Sequence, residues 1–440
     1  MQKSKLWALL VSALLMAAML AGCAAPVAPV APAAPAETGA DAAGAEPIEL
    51  SFATWGNAAE IGEFNRMIAE FEALNPGVKI ALLERPAQGY RDQAVTELAA
   101  GKAPDILRAG FAGDFAFYAD SGGTIDLSPY LEEGVGEDFF DAAWTIVTYD
   151  GKPYGIPLAT DTHALFYNVD YIEQAGIQVP QSMEECWSWE EFDAQSRKAM
   201  ENSDADYGHA ALWNAKRWML FLYGNGGQVL TDDLSASAFN SEAAIQTIDW
   251  MKGWYDEGLA PGSTSMKASE QADQLFINGA IAFFISGSWH MPNLRDNMVT
   301  HKWDVTYLPC TENGQDADLG GNGLVVTKDS KHPEVAAEFV KFVTNTDNMR
   351  TFASTALFNP VRYSSLEGLE YPQFNEQMQL FAEVAATVDP HHAAVQGMPI
   401  FPKLSAAMTD ELDLAFVGGQ DAAVTAKNID DKINAVLAEQ

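Results

Sequence analysis

The chain has little positive charge and few thiols. Against 61 acidic residues stand 25 lysines and arginines, a formal net charge of -36 over 440 residues. A surface of that sign repels phosphate backbones and anionic lipid, which argues against nucleic acid as a partner and leaves solubility as the main consequence of the charge. Neither Cys186 nor Cys310 has the close Cys or His spacing of a zinc site, so no metal and no cofactor are expected. The Gly-x-Ser-x-Gly, His-Glu-x-x-His and phosphate-loop patterns are also missing, so no catalytic residue is assigned and no enzyme is expected.

The N-terminus carries a specific local signal. Lys3 and Lys5 precede an apolar run, Leu6–Leu20, whose 15 residues are short for a bilayer span but suit a secretory core. Leu20-Ala21-Gly22-Cys23 looks like a bacterial lipobox, which implies a signal peptide over 1–22, lipidation at Cys23 and attachment to a membrane through that lipid. Prolines at 26, 29, 32 and 35 then give residues 23–46 the three-residue period of a polyproline II tether.

The length exceeds one comfortable core, so two lobes of roughly 150 to 200 residues each are expected beyond the tether. A strand at Ile48–Trp55 precedes Ile61, Phe64, Ile68, Phe71 and Leu74, which share one helix face. Asn75-Pro76-Gly77 stops that helix, Val78, Ile80 and Leu82 alternate as a strand, a helix runs from about Gln88 to Ala100, and Pro104–Leu107 is a third strand. Such alternation is α/β, and its ligand crevice lies beyond the carboxyl ends of the strands. Trp55, Asn57, Arg85, Phe111 and Asp114 all fall just after predicted strands, at that edge.

The stretch Tyr149–Asn168 organises the rest. An Asp150-Gly151 turn and two prolines lead into an alternating run, predicted as one extended strand after Pro157 with a hinge before it. Asp161 and His163 share one face of that strand and point towards a cleft. Further on, Ser188-Trp189-Glu190-Glu191 is a capping box, and Ile245, Ile248, Met251 and either Trp254 or Tyr255 form a core stripe.

Several motifs in order carry a resemblance: Trp55 ending the first strand, Asn75–Ile80, Gly101–Ile106, Gly155–Asn168, Phe276–Phe283 leading into Gly287-Ser288-Trp289, and Gly320-Gly321 before Leu324–Val326. Together they resemble the extracellular solute-binding proteins of bacterial ABC sugar importers, the maltose-binding-protein-like group, over nearly all of residues 47–440. The resemblance implies a two-lobed periplasmic-binding-protein-like fold of type II, with two mixed sheets flanked by helices and three interlobe crossings. These crossings are expected near 151–157, 307–311 and 358–362. Lobe one is then 47–155 plus 305–358, and lobe two 156–304 plus 359–440. Cys310 would sit at a connection between lobes and Cys186 within lobe two, so a disulfide between them is not expected.

The resemblance further implies a mono- or oligosaccharide ligand, the transmembrane subunits of an ABC transporter as partner, an extracytoplasmic monomer, and a lipid anchor in the cell membrane. Carried over by motif, Asp161 matches the family's carboxylate, Trp289 its stacking tryptophan, and Asp114 its charged sugar ligand after the third strand. Trp55, Asn57, Arg85 and Phe111 are candidates by position, as are His163, Trp213, Arg217, Asn322 and Arg362. Met408 stands where maltose binders carry an aromatic, which argues against maltose itself. The rival readings are a receptor for a polyamine or other small cation, caged by Asp114, Asp161 and aromatic rings, and a secreted glycoside hydrolase. Asp389-Pro390-His391-His392 reads as a loop near the third crossing.

Overall fold

The computed structural model describes residues 47–211, 213–267, 271–313, 320–385 and 387–439. The expected signal peptide, Cys23 and the tether lie outside these residues. In chain order the strands are β1 (Ile48–Thr54), β2 (Val78–Glu84), β3 (Ile106–Gly110), the hairpin β4 (Thr148–Tyr149) and β5 (Lys152–Pro153), β6 (Ile156–Thr160) and β7 (His163–Asn168). They continue as β8 (Tyr207–Ala211), β9 (Ile281–Gly287), β10 (Trp303–Thr306), β11 (Asn322–Val326) and β12 (Asn359–Pro360).

Two mixed sheets result, each the floor of one lobe. The first has the order β12-β6-β11-β3-β1-β2, with β1 parallel to β2 and β3 and with β11 antiparallel to both β3 and β6. The second has the order β10-β7-β9-β8, with β8 parallel to β9 and the other pairs antiparallel. The helix Ala58–Leu74 forms as its periodicity predicts and buries Phe64, Ile68 and Phe71, while Leu74 in the last turn is exposed. Gly101 ends the helix Tyr90–Ala100 in the left-handed conformation at φ 64, which a side chain with a Cβ resists. Ser188 and Glu191 form the expected capping box, and Ile248, Met251 and Trp254 are core.

The segment after Pro157 departs from expectation. Instead of one strand it forms two, β6 in the first sheet and β7 in the second, so the chain passes between sheets at Asp161-Thr162 and not at 151–157. The reason lies in a distant segment. Residues 320–321 run so close to the end of β6 that a Cβ on Gly321 would meet the Ala159 carbonyl at 2.3 Å, and Thr160 Oγ1 donates to the Gly320 carbonyl at 2.9 Å. Pro157 lies inside β6, where the register with β11 is irregular and the missing N–H is tolerated.

The second passage falls between β10 and β11 and lies beyond the expected 307–311, since Thr311 Oγ1 still donates to the Gly224 carbonyl of the second lobe at 2.5 Å. The third follows β12, which is bonded to β6 and so belongs to the first sheet. The expected lobe boundaries at 155/156 and 358/359 therefore leave β6 and β12 on the wrong side, and the one at 304/305 cuts through β10 of the second sheet. After the third passage the helix Asn375–Ala385 packs on β7 and β10, but the helix Pro390–Gly397 packs back on Asp141–Val147 of the first lobe. Asp389 caps that last helix, so Asp389–His392 is a helix start and not a loop.

Cys186 and Cys310 are joined in a disulfide, their Cα atoms 5.9 Å apart, contrary to expectation. Cys310 has not yet left the second lobe: its N–H donates to the Trp187 carbonyl at 2.9 Å, so the bond closes within one lobe and spans no hinge.

Candidate functional site

The carboxyl ends of β1, β2 and β3 face the start of β7 and the end of β9 across a cleft of 1260 Å³. Trp55 and Asn57 after β1, Arg85 after β2 and Phe111 after β3 line one wall. Asp161, His163, Arg217 and Trp289 line the other side and the floor, with Asn322 at the start of β11. Nine of the twelve residues expected from sequence thus meet in one place.

The first wall is built on a residue that sequence reading passed over. Arg108 in β3 is fully buried, and its Nη2 donates to Glu60 Oε1 at 2.6 Å, its Nη1 to the Trp55 carbonyl at 2.5 Å and its Nε to Asn322 Oδ1 at 3.0 Å. The guanidinium also lies 4.6 Å from the centre of the Trp55 ring. One buried cation therefore fixes Trp55 and Asn322 together, and Glu60 neutralises it at little exposure to water. Glu60 Oε2 in turn accepts from the Asn57 N–H at 2.8 Å, completing a capping box in which Asn57 Oδ1 accepts from the N–H groups of Ala59 and Glu60. No local pattern marks Arg108, but Glu60 three residues after Asn57 is a capping-box signal that could have been read.

On the second wall the indole of Trp289 sits directly after β9. Its ring occupies the space where a Cβ on Gly287 would stand, 1.8 Å from Cζ3, so only glycine fits there. The Arg217 guanidinium lies 5.2 Å from the ring centre, and His163 meets the ring edge-on at 5.2 Å. Gly320 leaves room for the Asp161 carboxylate, since a Cβ there would fall 1.8 Å from Asp161 Oδ1. Asn57 Nδ2 donates to the Trp289 carbonyl at 3.2 Å, joining the two walls.

Three expected residues are elsewhere. Asp114 is buried, accepting from Arg91 Nε at 2.6 Å and from the Gly110 N–H at 3.1 Å, and burial raises its carboxyl pKa against the pull of Arg91. Trp213 packs on Trp254 and Phe221 in the second core. Arg362 is pinned by Asp138 at 2.8 Å and by the Thr344 carbonyl at 2.8 Å, and stacks on Phe139. Position after a strand or turn was right for each, but a nearby partner already uses the side chain. Met408 is core and does not reach the cleft. Besides Arg108 and Glu60, sequence reading missed Asn214, Lys216, Asp273 and His290, all of which line the cleft. Burial, then Arg217 and His163, holds the His290 pKa down at about 3, so its imidazole is neutral at pH 7.

No group of three or more His, Cys, Asp or Glu side chains suited to a metal occurs among the described residues, and no helix there is long and apolar enough to cross a membrane. Two relatives from Bacillus subtilis (strain 168) are similar over most of the chain. The maltodextrin-binding protein MdxE is 24% identical over 345 residues, covering 77% of this chain and 78% of its own. An arabinooligosaccharide-binding protein is 25% identical over 343 residues, covering 76% and 78%. Among solved structures, the GacH receptor of Streptomyces glaucescens GLA.O, determined unliganded and with acarbose, superposes with a TM-score of 0.78 at 22% identity, over 89% of this chain and 99% of that one. That likeness shows the two-lobed periplasmic-binding-protein fold. Residues 56–350 match the bacterial extracellular solute-binding protein family, and the chain belongs to it.

Proposed function

We propose that this protein captures a neutral oligosaccharide between its lobes and presents it to the transmembrane subunits of an ABC importer. The observation that carries this reading is the lining of one cleft from both lobes by the half-buried indoles Trp55 and Trp289, set among carboxylates, amides and guanidinium groups. Sugars offer apolar C–H faces and a rim of hydroxyls, and such a lining is complementary to both. The volume of 1260 Å³ exceeds the roughly 300–1000 Å³ usual for a small-molecule site, which favours several sugar units over one. Relatives named for maltodextrin and arabinooligosaccharide binding support the same substrate class.

Ligand touching both walls stabilises the closed arrangement by its differential affinity, and a permease then distinguishes loaded from empty receptor. Binding alone suffices for that role, so we assign no catalysis. The lipobox-like Leu20–Cys23 supports anchoring of a monomer outside the cytoplasmic membrane through acylated Cys23. The polyamine reading required Asp114 and Asp161 together, and Asp114 is committed to Arg91. Calorimetric titration with maltotriose, arabinotriose and spermidine tests the proposal. Binding of either trisaccharide supports it, and binding of spermidine alone overturns it.

A further inference from the structure

Two cation–indole pairs line the cleft, and they are built differently. Arg108 lies 4.6 Å from the centre of the Trp55 ring, is 1% exposed and spends its three nitrogens on Glu60, the Trp55 carbonyl and Asn322. It is therefore a fixed backing for that ring. Arg217 lies 5.2 Å from the centre of the Trp289 ring, but it is only half-buried and itself lines the cleft.

The two faces of Trp289 are not equivalent. A Cβ on Gly287 would lie 1.8 Å from Cζ3 and 2.4 Å from both Cε3 and Cη2, a position over the ring and not beyond its edge. The backbone of β9 thus covers one face. His163, the register partner of Gly287, stands at 81° to the ring and so does not lie flat on it. With one face against β9, the guanidinium of Arg217 lies over the other, which is the face a sugar would need.

Local stability does not account for a cation at this position. Arg217 follows Lys216 in the first turn of the helix Ala215–Gly224, and that turn holds no acidic residue. The N-terminal end of a helix carries positive partial charge, which two cations oppose. What Arg217 gains there is the contact of a cation with an indole face.

We propose that Arg217 is a displaceable cover on the stacking face of Trp289: in the empty receptor its guanidinium holds the place of a sugar ring, and a sugar stacks there only by exchange with it. The inference rests on the oligosaccharide reading above and adds to it the residue that sets the threshold for stacking. A sugar with a continuous apolar C–H face replaces the contact it displaces, whereas a solute without one gains nothing by moving the guanidinium.

The test uses Arg217→Ala, which removes the cover and leaves a good helix former. Whichever of maltotriose and arabinotriose binds the wild type more tightly is the probe for calorimetric titration. The variant should bind it about 2- to 5-fold more tightly, the equivalent of one exposed cation–indole contact, with no such gain in a Trp289→Leu background, where there is no face to cover. Weaker binding would mean that the guanidinium holds the ligand directly, and it overturns the proposal. So does unchanged affinity, or an equal gain in both backgrounds. A second measurement does not depend on Trp289→Leu retaining affinity. In fluorotryptophan-labelled protein, with the Trp289 signal assigned by its loss in Trp289→Phe, Arg217→Ala should move that fluorine resonance in the empty receptor and not in the saturated one. An equal displacement in both states would show that the guanidinium never leaves the ring, and the exchange fails. If neither trisaccharide binds wild type or variant, the oligosaccharide reading fails and the exchange with it; if one binds and these signatures are missing, only the cover is wrong.

Discussion

The side-chain amide of Asn57, at the start of the helix after β1, donates to the main-chain oxygen of Trp289, after β9, at 3.2 Å. The same residue caps its own helix through Oδ1. One short side chain thus serves the local fold and the contact between cleft walls.

Those two roles separate by substitution. Asn57→Ser keeps an oxygen for the cap but is too short for Trp289, whereas Asn57→Ala loses both. Urea denaturation should show a loss of about 1 kcal/mol for alanine and a few tenths for serine. Both should speed ligand release equally in stopped-flow fluorescence. Equal unfolding losses for the two variants would contradict the capping role.

The Arg108–Glu60 pair is the buried strut of the first wall. Replacing one member, as in Arg108→Met, leaves an unmatched charge and should cost about 3–5 kcal/mol. Removing both, as in Glu60→Gln with Arg108→Met, should cost less than the sum of the single losses. Additive losses in guanidinium melts would show that the two side chains do not act as a unit.

Gly287→Ala should abolish ligand binding while the protein still folds, because the new methyl would take the place of the Trp289 ring. Gly253→Ala, in a helix with nothing within 4 Å of the added carbon, is the control and should gain roughly 0.5–1 kcal/mol. Intrinsic fluorescence and calorimetry on the same samples check both. Normal binding by Gly287→Ala would mean that Trp289 is not held as described.

Asp193 gives a pH signature. Trp250 Nε1 and Trp254 Nε1 each donate to its carboxylate at 2.8 Å, yet burial outweighs them and pushes the pKa up to about 6 from 3.8. The folded protein then keeps a proton that the unfolded chain releases first. The stability contributed is full below pH 3.8 and declines as pH rises towards about 6. Relative to Asp193→Asn, the wild-type unfolding free energy should fall across that window and run parallel above it. Parallel curves throughout would refute the shift.

The Cys186–Cys310 disulfide closes 124 positions of chain inside the second lobe. Cys186→Ser with Cys310→Ser should lower stability by about 2–4 kcal/mol and leave ligand affinity within a few-fold of wild type. A large change in affinity without loss of stability would mean that the bond acts on the cleft.

Much of the first lobe was readable because its information is local. Phe64, Ile68 and Phe71 repeat at helical spacing, Val78 and Ile80 alternate, and Gly101 marks a stop, each within a few residues. Trp289 was readable only through the resemblance carried by Gly287-Ser288-Trp289, and the structure adds why the glycine is there: it makes room for the ring. Asp114, Trp213 and Arg362 misled because position after a strand or turn says where a side chain starts and nothing about what has already claimed it. Arg91, Trp254 and Asp138 had done so. The break at Asp161-Thr162 was hidden for the same reason, being imposed by Gly320 and Gly321 some 160 positions away.

The order of residues alone determined the alternation of strands and helices and the family likeness, because periodicity and turn chemistry act between near neighbours. Only tertiary structure decided which polar groups are spent on the protein itself, as Asp114 is on Arg91 and Arg362 on Asp138. Hydrogen-bond partners distant in sequence are chosen by proximity in space, and that proximity exists only once the two sheets have folded and their ends have met.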